Sequence, residues 1–142
     1  MNWKQEADDL RVKNPKHILF LCVANSARSQ IAEGIARSLA KDSIKISSAG
    51  SNPSRVNPLA TDVLKEIGID ISSHYSKKVS DVDINSVEAV ITLCADEVCP
   101  IFLGKATRLH WGLDDPKNTL ECFRKIRDEL LERLKYLFRG LK

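Results

Sequence analysis

The strongest hydrophobic pattern in the chain lies near its C-terminus, where Leu120, Phe123, Ile126, Leu130, Leu134 and Leu137 recur at helical spacing and form one stripe. Asn118 stands in a capping position, with Glu121 three residues later, so the spacing predicts a long helix that starts there. A different pattern occupies His17-Ile18-Leu19-Phe20-Leu21-Cys22-Val23, which is short and continuously apolar, as a strand buried on both faces must be. Ile31, Ala32, Ile35, Ala36 and Leu39 then return to helical spacing, and Ile44 to Ser48 alternates as a second strand does. A helix fits Pro58 to Ile67, with proline in its first turn and Gly68 just past its end. Ser86 to Leu93 and Ala106 to Trp111 read as two further strands. Upstream, Trp3, Ala7, Leu10 and Val12 predict a short, marginal helix that Pro15 ends. Residues 1–15 therefore read as an extension of a domain spanning 16–142.

Strand, helix, strand, helix, strand, strand, helix is the order of an α/β domain, and it predicts three layers with a four-stranded parallel sheet flanked by helices. Ligands of such sheets bind beyond the carboxyl ends of the strands. Cys22 and Cys94 both fall at predicted strand ends.

Composition narrows the chemistry. The 142 residues suffice for one domain with a real core, and 43% apolar with 29% charged residues is an ordinary globular balance. A net charge of +3, without a basic run or interleaved aromatic patch, gives no reason to expect nucleic acid. No apolar stretch approaches the roughly 20 residues of a membrane span. The polar, acidic start Met1 to Asp9 has no signal-peptide pattern, so the expected location is cytoplasmic. In that compartment Cys22, Cys94, Cys99 and Cys122 are expected to rest as thiols. The histidines at 17, 74 and 110 are scattered, and Cys122 on the last helix reads as a small packed hydrophobe.

The segment Cys22-Val23-Ala24-Asn25-Ser26-Ala27-Arg28-Ser29 lies directly between predicted strand and helix. A loop there can turn successive backbone N–H groups toward one point, with the positive end of the helix behind them, and so cradle a tetrahedral oxyanion. Arg28 brings a planar fork of donors suited to two oxygens of that anion. Cys22 at the mouth sits in the same positive field, which favours a nucleophilic thiolate. Ser29 is placed to donate a hydrogen bond to that sulfur or to a leaving group. The alternative is a small buried residue at a strand end, beside an ordinary solvated arginine.

The strand-Cys-x5-Arg-Ser-helix unit, with Asn25, Ser26 and Gln30-Ile31-Ala32-Glu33-Gly34 after it, resembles the low-molecular-weight tyrosine phosphatases and the arsenate reductases that share their fold. Ser48-Ala49-Gly50, Gly68-Ile69-Asp70-Ile71 and Trp111-Gly112-Leu113-Asp114-Asp115-Pro116 follow in the order that family shows. The resemblance runs from about His17 to the C-terminus. It implies the phosphatase-like fold, Cys22 as nucleophile, Arg28 and the loop 23–29 as oxyanion cradle, and Asp115 as general acid, with Asp114 adjacent.

Phosphate transfer to a cysteine needs only water to finish, whereas arsenate reduction consumes two electrons and therefore two thiols. Thr92-Leu93-Cys94-Ala95-Asp96-Glu97-Val98-Cys99-Pro100 resembles the redox segment of the thioredoxin-coupled reductases. By that resemblance Cys94 attacks the Cys22–arsenic adduct and releases arsenite. Cys99 then resolves the Cys22–Cys94 disulfide, and thioredoxin, or glutaredoxin with glutathione, reduces the Cys94–Cys99 bond. No metal or organic cofactor is expected. The chain departs from the family pattern in three ways: only four residues separate Cys94 from Cys99, Ala27 stands where many members carry another cysteine, and Lys77 replaces an aspartate that helps some members bind potassium together with Asn25, Glu33 and Ser48. The enzyme alternative is a tyrosine phosphatase; the non-enzyme alternative is an oxyanion-binding or redox-sensing module. Cys-x4-Cys also suits half of a zinc site, but a second pair of ligands is missing.

Overall fold

A computed structural model of the chain describes residues 2–94, 102, 104–139 and 141. Its elements are α1 (Trp3–Lys13), β1 (His17–Cys22), α2 (Arg28–Leu39), β2 (Lys45–Gly50), α3 (Pro58–Lys65), a 3-10 turn at Val79–Asp81, β3 (Ala89–Cys94), β4 (Thr107–Leu113) and α4 (Leu120–Phe138). The four strands form one parallel sheet in the order β2-β1-β3-β4. Strand β1 is central and every residue of it is buried, which is why its sequence is an unbroken apolar run. Edge strand β4 alternates instead, burying Leu109, Trp111 and Leu113 and exposing Arg108, His110 and Gly112.

Alternate positions of the strands divide the core. Ile18, Phe20, Ile46, Ile91, Leu93, Leu109 and Trp111 face the four α-helices, which pack against one another on that side. Leu19, Leu21, Ala49 and Val90 face the opposite way, under Val79, Val82, Ile84, Val87 and Phe102. Among the described residues no helix is long and apolar enough to cross a membrane.

Helix α1, read from sequence as an extension, is docked on the domain. Ala7 and Leu10 are fully buried in the helix-side core, and a buried leucine contributes about 1.5–3 kcal/mol. The Trp3 ring meets Trp111 and Tyr136 edge-on, with ring centroids 6.2 and 5.5 Å away. Val12, grouped by spacing with the apolar positions, points into solvent. A second expectation is corrected at α4. Its cap is Thr119, whose side chain accepts from the Cys122 backbone N–H at 3.2 Å, and not Asn118. The N-terminus of α3 agrees with its sequence signal, as Asn57 caps it ahead of Pro58.

Candidate active site

Strand β1 ends at Cys22 and α2 starts at Arg28, so the intervening loop lies beyond the carboxyl edge of the sheet, where the parallel topology places ligands. Its conformation is imposed from outside. The Val23, Ala24 and Ser26 carbonyls accept from the backbone N–H groups of Asn52, Ser54 and Asn57, at 2.9, 3.0 and 3.0 Å. The Asn25 carbonyl accepts from the Gln30 side chain at 3.1 Å and the Ser76 hydroxyl at 2.7 Å. The loop's peptide bonds are all trans, and a trans peptide aims its N–H opposite its C=O. Four carbonyls held outward thus turn the N–H groups of Ala24, Asn25, Ser26 and Ala27 inward. Helix α2 also starts without a side-chain cap, leaving the positive end of its dipole facing the loop.

Asn25 is the interior brace. It adopts a left-handed backbone conformation (φ +49°), which asparagine tolerates better than other side chains. Its Oδ1 accepts from the Lys77 backbone N–H at 2.9 Å and from Gln30 at 3.0 Å. Its Nδ2 donates to Ser29 Oγ at 2.7 Å and to Ser48 Oγ at 2.9 Å. Ser29 Oγ in turn lies 2.8 Å from Cys22 Sγ. When Cys22 is a thiolate, only the hydroxyl of that pair has a proton to donate, so Ser29 stabilises the nucleophile. Gly50 permits the close fit of β2 under the loop. A Cβ there would collide with the Val23 carbonyl oxygen and fall 2.9 Å from both the Asn25 nitrogen and the Cys22 oxygen.

Arg28 is buried at the mouth of the loop. Its Nη1 donates to the Leu113 carbonyl at 2.8 Å and the Leu93 carbonyl at 3.4 Å, and its Nη2 lies 3.6 Å from Asp115 Oδ1. The arginine is therefore aimed by the ends of β3 and β4 as well as by its own helix. Cys22, Val23, Ala24, Ser26, Ala27, Arg28 and Asp115 line one cavity of about 550 Å³. Asp115, and not its neighbour Asp114, belongs to that lining. Asn25 and Ser29 lie behind it, fully buried. Sequence reading did not place Ser54, Asn57, Pro116 or Phe123 at the site, where they complete the wall, and it read Asn118, also there, as a helix cap.

Cys94 is the last residue of β3 and is fully buried. Leu21 pairs with Thr92 across β1 and β3, so the same register sets Leu93 beside Cys22 and brings Cys94 to the cavity edge of the sheet. Cys99, with the rest of positions 95–100 of the predicted redox segment, lies outside the described residues. Cys22, Cys94 and Cys122 are thiols. Among the described residues no cluster of three or more His, Cys, Asp or Glu side chains is placed to hold a metal ion.

Beneath the loop, Glu33 is buried among donors. Ser48 Oγ donates to its Oε1, Arg37 Nε lies 2.8 Å from its Oε2, and His74 Nε2 and Lys77 Nζ approach within 3.8 and 3.9 Å. Burial pulls both His74 and Lys77 below their usual pKa ranges, and the Glu33 carboxylate opposes this in each case.

Residues 17–142 match the family described as low molecular weight phosphotyrosine protein phosphatase. The arsenate reductase of Bacillus subtilis is 42% identical over 129 residues, covering 84% of this chain and 93% of that protein. The chain belongs to the low-molecular-weight phosphatase family, in its arsenate reductase branch. A solved arsenate reductase of this branch, in a phosphate-binding state, superposes with a TM-score of 0.80 at 35% identity, covering 89% of this chain and 99% of its own. A thioredoxin-dependent arsenate reductase of Corynebacterium glutamicum superposes with a TM-score of 0.73 at 30% identity, covering 98% of this chain and 68% of its own.

Proposed function

We propose that the chain reduces arsenate to arsenite through a relay of Cys22, Cys94 and Cys99. The observation that carries this reading is one cavity floored by inward-turned amides, with Cys22 at its base and Asp115 at its rim, beside a second thiol at the end of the adjoining strand. Arsenate enters the cradle as a tetrahedral oxyanion. The Cys22 thiolate attacks arsenic, and an oxygen leaves as water after taking a proton from Asp115. The Cys94 thiolate then attacks Cys22 Sγ, and the electron pair of the sulfur–arsenic bond passes to arsenic. Arsenite departs, arsenic has gained two electrons, and Cys22 and Cys94 have each lost one in forming their disulfide. Cys99 as thiolate next attacks Cys94, which frees Cys22 and leaves a Cys94–Cys99 disulfide. A dithiol protein of the thioredoxin class reduces that bond.

The test is arsenite production, quantified directly, with NADPH consumption followed in parallel for the thioredoxin and the glutaredoxin–glutathione systems. Sustained turnover, with one arsenite per NADPH, is expected with thioredoxin. Turnover with glutaredoxin alone would reassign the reductant. Hydrolysis of a tyrosine phosphate without arsenite formation would return the chain to the phosphatases.

The potassium site implied by family resemblance does not fit this chain. Each oxygen of the set is already engaged: Asn25 Oδ1 by Gln30 and the Lys77 N–H, Ser48 Oγ by the Asn25 amide, and Glu33 Oε1 by Ser48 and the Lys77 ammonium. A hard cation needs oxygens turned toward it, and an ammonium offers only donors. Exchanging potassium for sodium at constant ionic strength is expected to leave kcat/KM unchanged. Strong stimulation of the unmodified protein by potassium would show that Lys77 swings out of the site.

A further inference from the structure

Two asparagines line the cavity without a part in the relay. Asn57 is fixed at two points: its backbone N–H donates to the Ser26 carbonyl of the loop at 3.0 Å, and its Oδ1 caps α3 by accepting from the Leu59 N–H at 2.9 Å. With Oδ1 committed, its Nδ2 is turned across the cavity, where it donates to Asn118 Oδ1 at 3.2 Å. Asn118 is three residues from Asp115, and segment 114–118 has no regular structure of its own. The Asp115 side chain is 74% exposed and its ion pair with Arg28 is long, at 3.6 Å, so burial does not hold its carboxylate in place. The C-terminal end of α3 has a separate tie to the first half of α4, where Glu66 accepts from Arg124 and Arg127. The Asn57–Asn118 bond is the tie at the cavity end.

We propose that this bond positions the general acid: it couples segment 114–118 to the oxyanion loop and keeps the Asp115 carboxylate over Cys22. The two asparagines are positioning residues acting through Asp115. The inference rests on the role given to Asp115 above. It implies that binding of the oxyanion and delivery of the proton share one mechanical frame, since Asn57 holds both the Ser26 carbonyl and the acid's segment.

The experiment uses Asn57→Ser, which keeps a good helix cap but is too short to reach Asn118, together with Asn118→Ala and Asn118→Asp. Each is made in the parent protein and in an Asp115→Asn background. Losing accurate placement of a general acid is expected to lower kcat about tenfold, a part of the roughly 10²–10⁴-fold that such catalysis supplies. KM for arsenate should hold steady in Asn57→Ser and Asn118→Ala. Asn118→Asp retains the acceptor, so it should recover kcat to within about threefold while its added charge raises KM for the anion. In the Asp115→Asn background the same changes should alter kcat less than about twofold, because groups acting through one residue are non-additive. Independent, multiplying losses in that background would overturn the clamp, and so would a parent-like kcat in Asn57→Ser. Backbone hydrogen exchange over 115–119 provides a second readout that requires no turnover. Faster exchange in Asn57→Ser and Asn118→Ala supports the clamp even if the arsenate assignment fails, and unchanged exchange overturns it even if that assignment holds.

Discussion

Replacing Cys94 by serine is expected to halt the reaction with arsenic still attached to Cys22. The cradle, Arg28 and Asp115 are untouched, so the first displacement proceeds. A hydroxyl at the end of β3 cannot take the Cys22 sulfur, because only a thiolate is both ionised enough and soft enough to do so. Arsenite release should fall below detection, a loss of at least about 10³-fold on the scale of removing a nucleophile. Cys99→Ser should differ in kind: one arsenite per protein, then a stalled Cys22–Cys94 disulfide. Single-turnover quantification of arsenite with mass mapping of the disulfide separates the two variants. Repeated turnover by the Cys99→Ser protein with thioredoxin would remove Cys99 from the relay.

Gly50→Ala is the second large expected effect, and it involves no catalytic group. The added methyl meets backbone, the Val23 carbonyl oxygen and the Asn25 nitrogen, neither of which can rotate away. Strand β2 must separate from the loop, or the loop must lift. Overpacking of this kind costs about 1–3 kcal/mol of stability. The activity loss should be larger than that figure suggests, since the strained peptides are those whose N–H groups floor the cavity. Denaturant unfolding and arsenate turnover, measured on the same sample, check both parts. A Gly50→Ala protein with parent-like kcat/KM would show that the loop needs no such support from β2.

What the sequence made legible was local. The loop from Cys22 to Ser29 could be read because strand, turn and helix are consecutive, and the burial of β1 followed from an unbroken apolar run. The start of α3 was equally visible at Pro58. Tertiary relations were hidden. Arg28 looked like a pure anion ligand, yet its Nη1 is held by carbonyls 65 and 85 residues further along the chain. Asn118 looked like a cap, but Thr119 lies in register with the Cys122 N–H, which releases the Asn118 side chain toward Asn57. Gln30 and Ser48 entered only as members of motifs that carry the family resemblance, and His74 carried no motif. Their bracing of Asn25 and Glu33 is legible only once their partners are in place. The docking of α1 was beyond reach for the same reason, because Trp3 finds its partners in β4 and α4.

The anchoring of Arg28 has a consequence for the order in which the chain acquires function. The β1–α2–β2 unit, residues 17–50, contains the strand pairing that sets Gly50 beneath the loop, but not the Asn52, Ser54, Asn57 and Ser76 groups that hold the loop carbonyls outward. Nor does it contain the Leu93 and Leu113 carbonyls that orient the guanidinium. Parallel pairing needs a crossover for each added strand, so β3 and β4 join through distant, entropically slow contacts. Fraying runs the same sequence backward: if edge strand β4 peels from β3, the arginine loses its aim while Cys22 keeps its cradle. Tight oxyanion capture is thus a late-maturing and early-lost property of the molecule, set by the edge of the sheet farthest from β2.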